Sequence, residues 1–117
     1  MGEDSRLSRS TRQMIVDPAH EVFVSAISLW EVAIKSTRGL LRVDLAQLVE
    51  IVRAENFAEL PVRFAHTLPL RGLTTIHRDP FDRLLIAQSI AENLRLVTGD
   101  KEILAYRGVA GFDPLPL

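Results

Sequence analysis

Short apolar runs and longer stretches of helical apolar spacing alternate along the chain. Apolar runs bounded by turn residues are typical of buried strands, whereas apolar positions three and four residues apart share one face of a helix. The pattern predicts strands over 22–24, 57–60 and 94–98, and a short edge strand before Pro114. It predicts helices through about Val16, from Ser28 to Thr37, from Asp44 to near Asn56, around 62–68, from Asp79 to Asn93 and shortly after Asp100.

Three of these helix starts carry capping residues, and Asp44 is the simplest of them, a single aspartate directly before an apolar helical stripe. Ser28 and Glu31 have the Ser-x-x-Glu spacing of a capping box, in which the two side chains satisfy free backbone N–H groups at the helix start. Asp79 is followed by Pro80, a capping carboxylate before a proline that needs no donor in the first turn. We therefore predict that one helix begins at Ser28 and another directly after Asp79, with 69–78 as a loop before it.

Strands that alternate with helices predict one α/β domain over residues 1–117. In such domains the strands form a mostly parallel sheet with helices on both faces, which gives three layers. A chain of 117 residues has the length of a single domain with one core. Functional groups then collect at the carboxyl ends of the strands.

Composition narrows the function classes. The chain has no cysteine, which excludes disulfides, thiolate zinc sites and cysteine nucleophiles and fits a reducing cytoplasm. It has no apolar run long enough for a transmembrane helix and no signal peptide pattern, so we expect a cytoplasmic protein that does not enter a membrane. The formal net charge of -1 argues mildly against stable nucleic-acid binding through bulk charge, although a local basic patch could still contact RNA.

Three carboxylates come just after a predicted strand or in the first turn of a predicted helix: Glu31, Asp82 and Asp100. If the strands are parallel neighbours, all three point at one edge of the sheet. Crowded carboxylates repel one another unless a cation neutralises them, and hard oxygen ligands select Mg²⁺ or Mn²⁺. Such a site can activate water, so metal-assisted hydrolysis of a phosphodiester is the reaction that the pattern favours.

Each of these acids also has a purely structural interpretation. Glu31 could close its capping box, Asp82 could interact with the helix dipole, and Asp100 could begin a turn. The prediction of a site therefore depends on the convergence of all three acids, which the strand order decides.

Three sequence blocks carry a resemblance to a known family. They are VSAISLWEVAIK at 24–35, HRDPFDRLLIAQ at 77–88 and LVTGD at 96–100, and the stretch from Leu60 to His66 fits as well. These blocks resemble PIN-domain ribonuclease toxins of the VapC group, over about residues 5–115. The HRDPFDR block is the most specific part of the resemblance.

The resemblance implies a Mg²⁺- or Mn²⁺-dependent endoribonuclease that is the toxin of a bacterial toxin–antitoxin pair. A small cognate antitoxin would silence it, RNA would be its substrate, and a homodimer would be its expected assembly. The metal acids of the family map onto Glu31, Asp82 and Asp100, with Asp79, Ser28 and Thr98 in supporting positions. The family also begins with a hydrophobic strand that ends in an aspartate. We find no such strand here, so the chain is expected to be N-terminally truncated relative to the family, which could impair its activity.

Two arginines and two histidines near these acids could also have a role at the site. Arg78 and Arg83 flank Asp82 and could contact RNA phosphate, although ion-paired or solvated arginines fit equally well. The histidines have no metal-type spacing, and structural roles are favoured for them: His66 would border the site or pack on a helix, and His77 would orient the loop before Asp79.

A second hypothesis comes from a different class of protein. The chain could be a non-catalytic PIN-like module that binds an antitoxin or self-associates. An apolar surface would then serve as a groove for a partner helix. Its expected members are Leu29, Trp30, Ile34 and Leu40.

Overall fold

A computed structural model describes residues 9–117 of the chain. The chain divides into two compact units. The α2 unit, named after its helix α2 (Ala26–Thr37), comprises residues 21–62. The α4 unit, named after its helix α4 (Pro80–Glu92), comprises the described residues 9–20 together with 63–117. Each unit contains parallel strands and helices, so the prediction of an α/β protein is confirmed.

The α2 unit contains one parallel strand pair and two helices. Strand β1 (Phe23–Ser25) is followed by helix α2 (Ala26–Thr37), helix α3 (Leu45–Ala54) and strand β2 (Ala58–Leu60). The two strands are parallel, with Val24 opposite Glu59 in the register. The predicted strands over 22–24 and 57–60 are thus each found within one residue of their predicted limits.

Helix α2 begins earlier than the capping box predicts. Its N-cap is Ser25, whose Oγ accepts a hydrogen bond from the backbone N–H of Ile27 at 3.1 Å. Ser28 and Glu31 therefore lie inside the helix, and the prediction that they form a capping box is wrong. Both serines can cap a helix, and the earlier start places the apolar Ile27, which is 1% exposed, in the first turn. The helix ends at Thr37 as predicted, and Gly39 just beyond it has a φ of +75°, a conformation that glycine adopts without strain.

Helix α3 follows its local signals closely. The Asp44 side chain accepts a hydrogen bond from the N–H of Gln47 at 3.3 Å, as expected of an N-cap. The helix ends at Ala54, and Asn56 takes a left-handed conformation with a φ of 59° just beyond it.

The α4 unit contains the remaining elements of the described chain. In chain order they are α1 (Arg9–Val16), a 3₁₀ helix (Phe64–Gly72), α4 (Pro80–Glu92), β3 (Val97–Thr98), α5 (Lys101–Leu104), a second 3₁₀ helix (Val109–Gly111) and β4 (Leu115–Pro116). Strands β3 and β4 pair in parallel. The Thr11 hydroxyl of α1 donates a hydrogen bond to the Pro116 carbonyl of β4 at 2.9 Å, which ties the two ends of this unit together.

Three predictions in this unit need correction. Strand β3 begins at Val97, three residues later than the strand predicted over 94–98. The segment from Pro69 to Gly72 continues the 3₁₀ helix, where the sequence pattern predicts a loop. The last strand follows Pro114 instead of preceding it, because Leu115 donates its N–H to the Leu96 carbonyl at 2.8 Å and so begins the pairing. The strands also form two separate two-stranded pairs among the described residues, β1 with β2 and β3 with β4.

The core of the α4 unit is formed by residues of α4, of α5 and of the segments beside them. Its buried residues are Leu73, Ile86, Ile103, Tyr106 and Phe112. Helix α4 is buried around most of its circumference from Leu85 to Ser89, so it is a central helix of the unit rather than a surface helix with one apolar stripe. It ends at Glu92, and Asn93, the predicted stop, is its C-cap with a left-handed φ of 55°.

A buried histidine joins the first 3₁₀ helix to α4. His66 is fully buried, and its Nδ1 accepts a hydrogen bond from the Arg63 N–H at 2.9 Å. Its Nε2 lies 2.6 Å from a carboxylate oxygen of Glu92, so the ring proton is on Nε2 and donates to that carboxylate. The expectation that His66 packs on a helix is therefore confirmed.

None of the helices that residues 9–117 form is long and apolar enough to cross a membrane.

Candidate metal site at the start of helix α4

The start of α4 is the best-defined local structure near the predicted site. The Asp79 carboxylate accepts hydrogen bonds from the N–H groups of Phe81 at 2.9 Å and Asp82 at 3.2 Å. Pro80 occupies the first helical position, as predicted. Asp82 then lies in the first turn, where the helix dipole favours a negative charge. The local sequence alone therefore fixes where both aspartates stand relative to the helix.

This capping arrangement gives a first prediction. Asp79→Ala is expected to lower the free energy of unfolding by about 1 kcal/mol in metal-free buffer, because two N–H groups lose their acceptor. Asp79→Ser keeps a capping oxygen and should lose clearly less. Urea unfolding of both variants in EDTA measures the difference. Equal losses in the two variants would contradict the capping role.

Asp82 is the centre of a small group of potential ligands. Within residues 9–117, one ligand atom from each of His77, Asp79 and Asp82 lies within 4.8 Å of the others. Asp82 is only 8% exposed, and its Oδ2 is 2.9 Å from His77 Nε2. A buried carboxylate is unfavourable unless a charge partner or a cation compensates it. Here His77 is one such partner.

The loop that carries His77 is held by hydrogen bonds to the core. The Tyr106 hydroxyl accepts from the N–H groups of Ile76 at 3.0 Å and His77 at 2.8 Å, and it donates to the His77 carbonyl at 3.1 Å. Arg83 donates to the same hydroxyl and to the carbonyls of Leu73 and Thr74. The sequence predicts that His77 orients the loop before Asp79. In the structure, Tyr106 of the core in turn holds the backbone of His77 in place.

The surroundings of His77 shift its protonation. Desolvation, the largest single influence, lowers the pKa of His77. The hydrogen bond that His77 donates to Asp82 and the negative charges of Glu102, Asp82 and Asp79 together outweigh it, so the pKa is raised above the ordinary value of 6.5. The imidazolium form is therefore favoured between these carboxylates in the metal-free protein.

A second prediction follows from this direction. In EDTA, His77 should titrate above 6.5 in an NMR titration, and Asp82→Asn should lower its pKa because one charge and the charged acceptor are lost. Because the folded pKa is the higher one, the stability that His77 contributes is complete below about 6.5 and is lost as the pH rises through the folded pKa. A His77 that titrates at or below 6.5 would contradict the proposed surroundings.

Asp100 lies at the start of α5. It is exposed, and its Oδ1 accepts from the N–H of Glu102 at 2.8 Å, while the Thr98 hydroxyl accepts from the N–H of Asp100 at 3.0 Å. Asp100 is thus an N-cap, and Thr98 supports the turn before it. Asp100 is outside the close group of His77, Asp79 and Asp82, but it belongs to the same unit.

Glu31 and Ser28 lie in the α2 unit, within helix α2. Glu31 is partly buried and forms an ion pair with Lys35 one turn later, with a separation of 3.1 Å between Nζ and Oε2. Among the predicted acids, the structure therefore brings Asp79 and Asp82 together with His77. The assignment of Glu31 to a shared site stays a prediction.

The two predicted RNA-binding arginines have different surroundings. Arg78 is exposed, and within the described part of the chain its side chain has no hydrogen-bond or ion-pair partner. Arg83 directs its guanidinium to loop carbonyls and to Tyr106. Arg78 is thus available to a phosphate, whereas Arg83 stabilises the loop in front of α4.

Sequence reasoning missed two residues of this site. The sequence pattern predicts only a structural role for His77 and assigns no role to Glu102. In the structure, Glu102 Oε2 is 2.5 Å from His77 Nδ1. The signal for His77 was its position just before the capping Asp79. Nothing in the sequence pairs it with Glu102, because that contact depends on how α5 packs.

The donor set suits a hard or borderline divalent cation. Asp79 and Asp82 supply carboxylate oxygens and negative charge within 4.8 Å of each other, and His77 partly compensates this charge in the metal-free protein. Both Mg²⁺ and Mn²⁺ accept carboxylate oxygens. The residues present therefore fit a divalent metal ion.

Carboxylates that can hold a divalent metal ion are typical of enzymes that hydrolyse phosphodiesters, and nucleases are common among them. The family model of the PIN domain matches residues 1–109, so the chain belongs to the PIN domain family. This is a nuclease-like family whose members typically depend on a divalent metal. A search of curated proteins found no match to the chain.

Proposed function

We propose that the protein is a metal-dependent endoribonuclease and the toxin of a type II toxin–antitoxin pair. One observation carries the enzymatic part of the proposal. The nearly buried Asp82 carboxylate has ligand atoms of Asp79 and His77 within 4.8 Å, at the start of a helix in a PIN domain. The toxin role, the VapC group and a cytoplasmic location rest on the sequence blocks that resemble that group.

In this proposal Asp82, Asp100 and Glu31 hold Mg²⁺ or Mn²⁺. The metal would supply a bound water at lowered pKa and would neutralise charge on the phosphodiester. Asp79 fixes the first turn of α4 and so sets the direction of the Asp82 side chain. Arg78 would contact the RNA phosphate as an exposed cation next to this turn. The partners are RNA, a cognate antitoxin and a second copy of the chain in a homodimer.

The test is RNA cleavage by the purified chain with Mn²⁺, with Mg²⁺ and with EDTA. Cleavage should require the metal and disappear in Asp82→Asn. Asp113→Asn is a matched control, since it also removes one carboxylate charge, and among the described residues its exposed side chain pairs with Arg95 and Arg107 at the surface. Cleavage that EDTA does not stop, or that is equal in both variants, would indicate a contaminant and contradict the proposal.

A non-catalytic binding module is the second candidate, and the exposure of two apolar side chains favours it. In the α2 unit Trp30 is 58% exposed and Leu40 is 67% exposed, whereas Leu29 and Ile34 are partly buried. Large exposed apolar groups often mark partner surfaces. A folded chain that cleaves no RNA with either metal, and whose Trp30 fluorescence shifts to shorter wavelength with increasing protein concentration, would favour this candidate.

A further inference from the structure

A continuous series of polar contacts joins two of the predicted metal acids within the α4 unit. Asp82 Oδ2 is 2.9 Å from His77 Nε2. His77 Nδ1 is 2.5 Å from Glu102 Oε2. The backbone N–H of Glu102 donates to Asp100 Oδ1 at 2.8 Å. Asp82 and Asp100 are thus connected through His77 and Glu102, neither of which was among the predicted site residues.

The fold holds both ends of this connection. Asp100 caps α5, which places Glu102 in the first turn of that helix. Ile103 and Tyr106, in and just after the same helix, are buried in the core at 5% and 0% exposure. Because the Tyr106 hydroxyl also holds the backbone of His77, α5 and the loop before α4 are fixed relative to each other.

The ring of His77 has one carboxylate at each nitrogen. A histidine held in this way cannot rotate without losing one of its contacts, so its orientation is fixed by Glu102 on one side and Asp82 on the other. Partners of this kind, one step away from the metal, orient the groups that bind it, and their loss typically weakens metal binding by about 10–100-fold.

We propose that His77 and Glu102 are positioning residues that hold the Asp82 carboxylate in place for the metal ion and link it to Asp100. This inference rests on the proposed function, because it assigns Asp82 to a metal site. Glu102 acts through His77 and does not itself bind the metal. Its side chain is 65% exposed, so it can be replaced without disturbing the core.

The test measures Mn²⁺ binding to the full chain, without RNA, by calorimetry and by the EPR signal of free Mn²⁺. Glu102→Gln and His77→Gln should each weaken Mn²⁺ binding by about tenfold or more. The double variant should bind no more weakly than His77→Gln alone, because Glu102 acts through His77. Glu50→Gln is the matched control. Within residues 9–117, Glu50 is an exposed glutamate of α3 whose partner is Arg53 across one helical turn, and this variant should bind Mn²⁺ as the unaltered chain does.

The outcomes separate this inference from the proposed function. If the unaltered chain binds Mn²⁺, Asp82→Asn removes the binding and Glu102→Gln leaves it unchanged, the positioning role is overturned and the metal site stands. Independent, multiplicative effects of Glu102→Gln and His77→Gln would also overturn it. If the unaltered chain binds no Mn²⁺, the proposed function fails and the positioning role fails with it. Thermal unfolding of each variant shows that it is folded.

Discussion

Asp82→Asn is expected to lower metal-dependent RNA cleavage by about 100-fold or more while the protein stays folded. Removing a residue that contacts a metal ligand typically lowers metal affinity or activity by about 10–100-fold. Asp82 is proposed to bind the metal directly, so its loss should lower activity by at least the upper value of that range. Asparagine has the same shape and keeps one oxygen that can accept from His77. The change therefore removes charge and metal affinity without creating a cavity.

Stability should respond quite differently from activity. The Asp82 carboxylate lies beside Asp79, so its removal relieves repulsion in the metal-free protein while weakening the contact with His77. We expect these two effects to oppose each other and the thermal unfolding temperature in EDTA to change little. Cleavage rates with saturating Mn²⁺, measured beside Asp113→Asn, give the activity. Cleavage within tenfold of the unaltered chain in a folded variant would contradict the assignment of Asp82 as a metal ligand.

Tyr106→Phe is expected to lower the free energy of unfolding by about 2–3 kcal/mol, since buried donors that lose their acceptor cost about 1–3 kcal/mol each. The hydroxyl accepts from the N–H groups of Ile76 and His77 and from Arg83, and it donates to the His77 carbonyl. Phenylalanine keeps the ring, so the packing of the core is preserved. The expected loss of stability is well below the sum of the costs for the three donors. Several of these donors are only partly buried, so water can replace the hydroxyl as their acceptor.

Urea unfolding measures this loss as a lower midpoint with an unchanged slope. Thr37→Val is a suitable control, because it also removes one hydroxyl, from an exposed position where it bonds the Ala33 carbonyl within helix α2. That variant should stay within about 0.5 kcal/mol of the unaltered chain. A Tyr106→Phe variant as stable as this control would show that the hydroxyl does not hold the loop. Weaker Mn²⁺ binding should accompany the loss of stability, because His77 is anchored by the same hydroxyl.

Capping residues predicted the start of a helix correctly where no second capping residue lay nearby. Asp79 followed by Pro80 predicts the start of α4 correctly, and Asp44 does the same for α3. The start of α2 was misplaced because Ser25 and Ser28 can both cap a helix, and the Ser28–Glu31 spacing matched a familiar motif. The structure uses Ser25, and Glu31 pairs with Lys35 instead. A capping motif is a weak guide when a second capping residue lies one turn away.

The candidate site was predicted in part. The sequence correctly predicted that Asp79 and Asp82 lie together at a helix start. The four consecutive residues from Asp79 to Asp82, with Asp79 as the cap, are enough to determine this. It did not predict that His77 and Glu102 belong to the same group. These two residues meet because Tyr106 is buried and holds the loop before α4, while Asp100 begins α5 next to it. No periodicity within either segment encodes that contact.

The sequence by itself determined the α/β class, the order of helices and strands, and the positions of Asp79 and Asp82 on α4. These features depend on interactions within about one helical turn or on the alternation of apolar and polar residues, which are present in any conformation of the chain. Tertiary structure alone decided which strands pair, where the last strand begins, and that His77 lies between Asp82 and Glu102. Those contacts join residues far apart in sequence, and they form only when burial of Ile86, Ile103 and Tyr106 in one core brings α4 and α5 together.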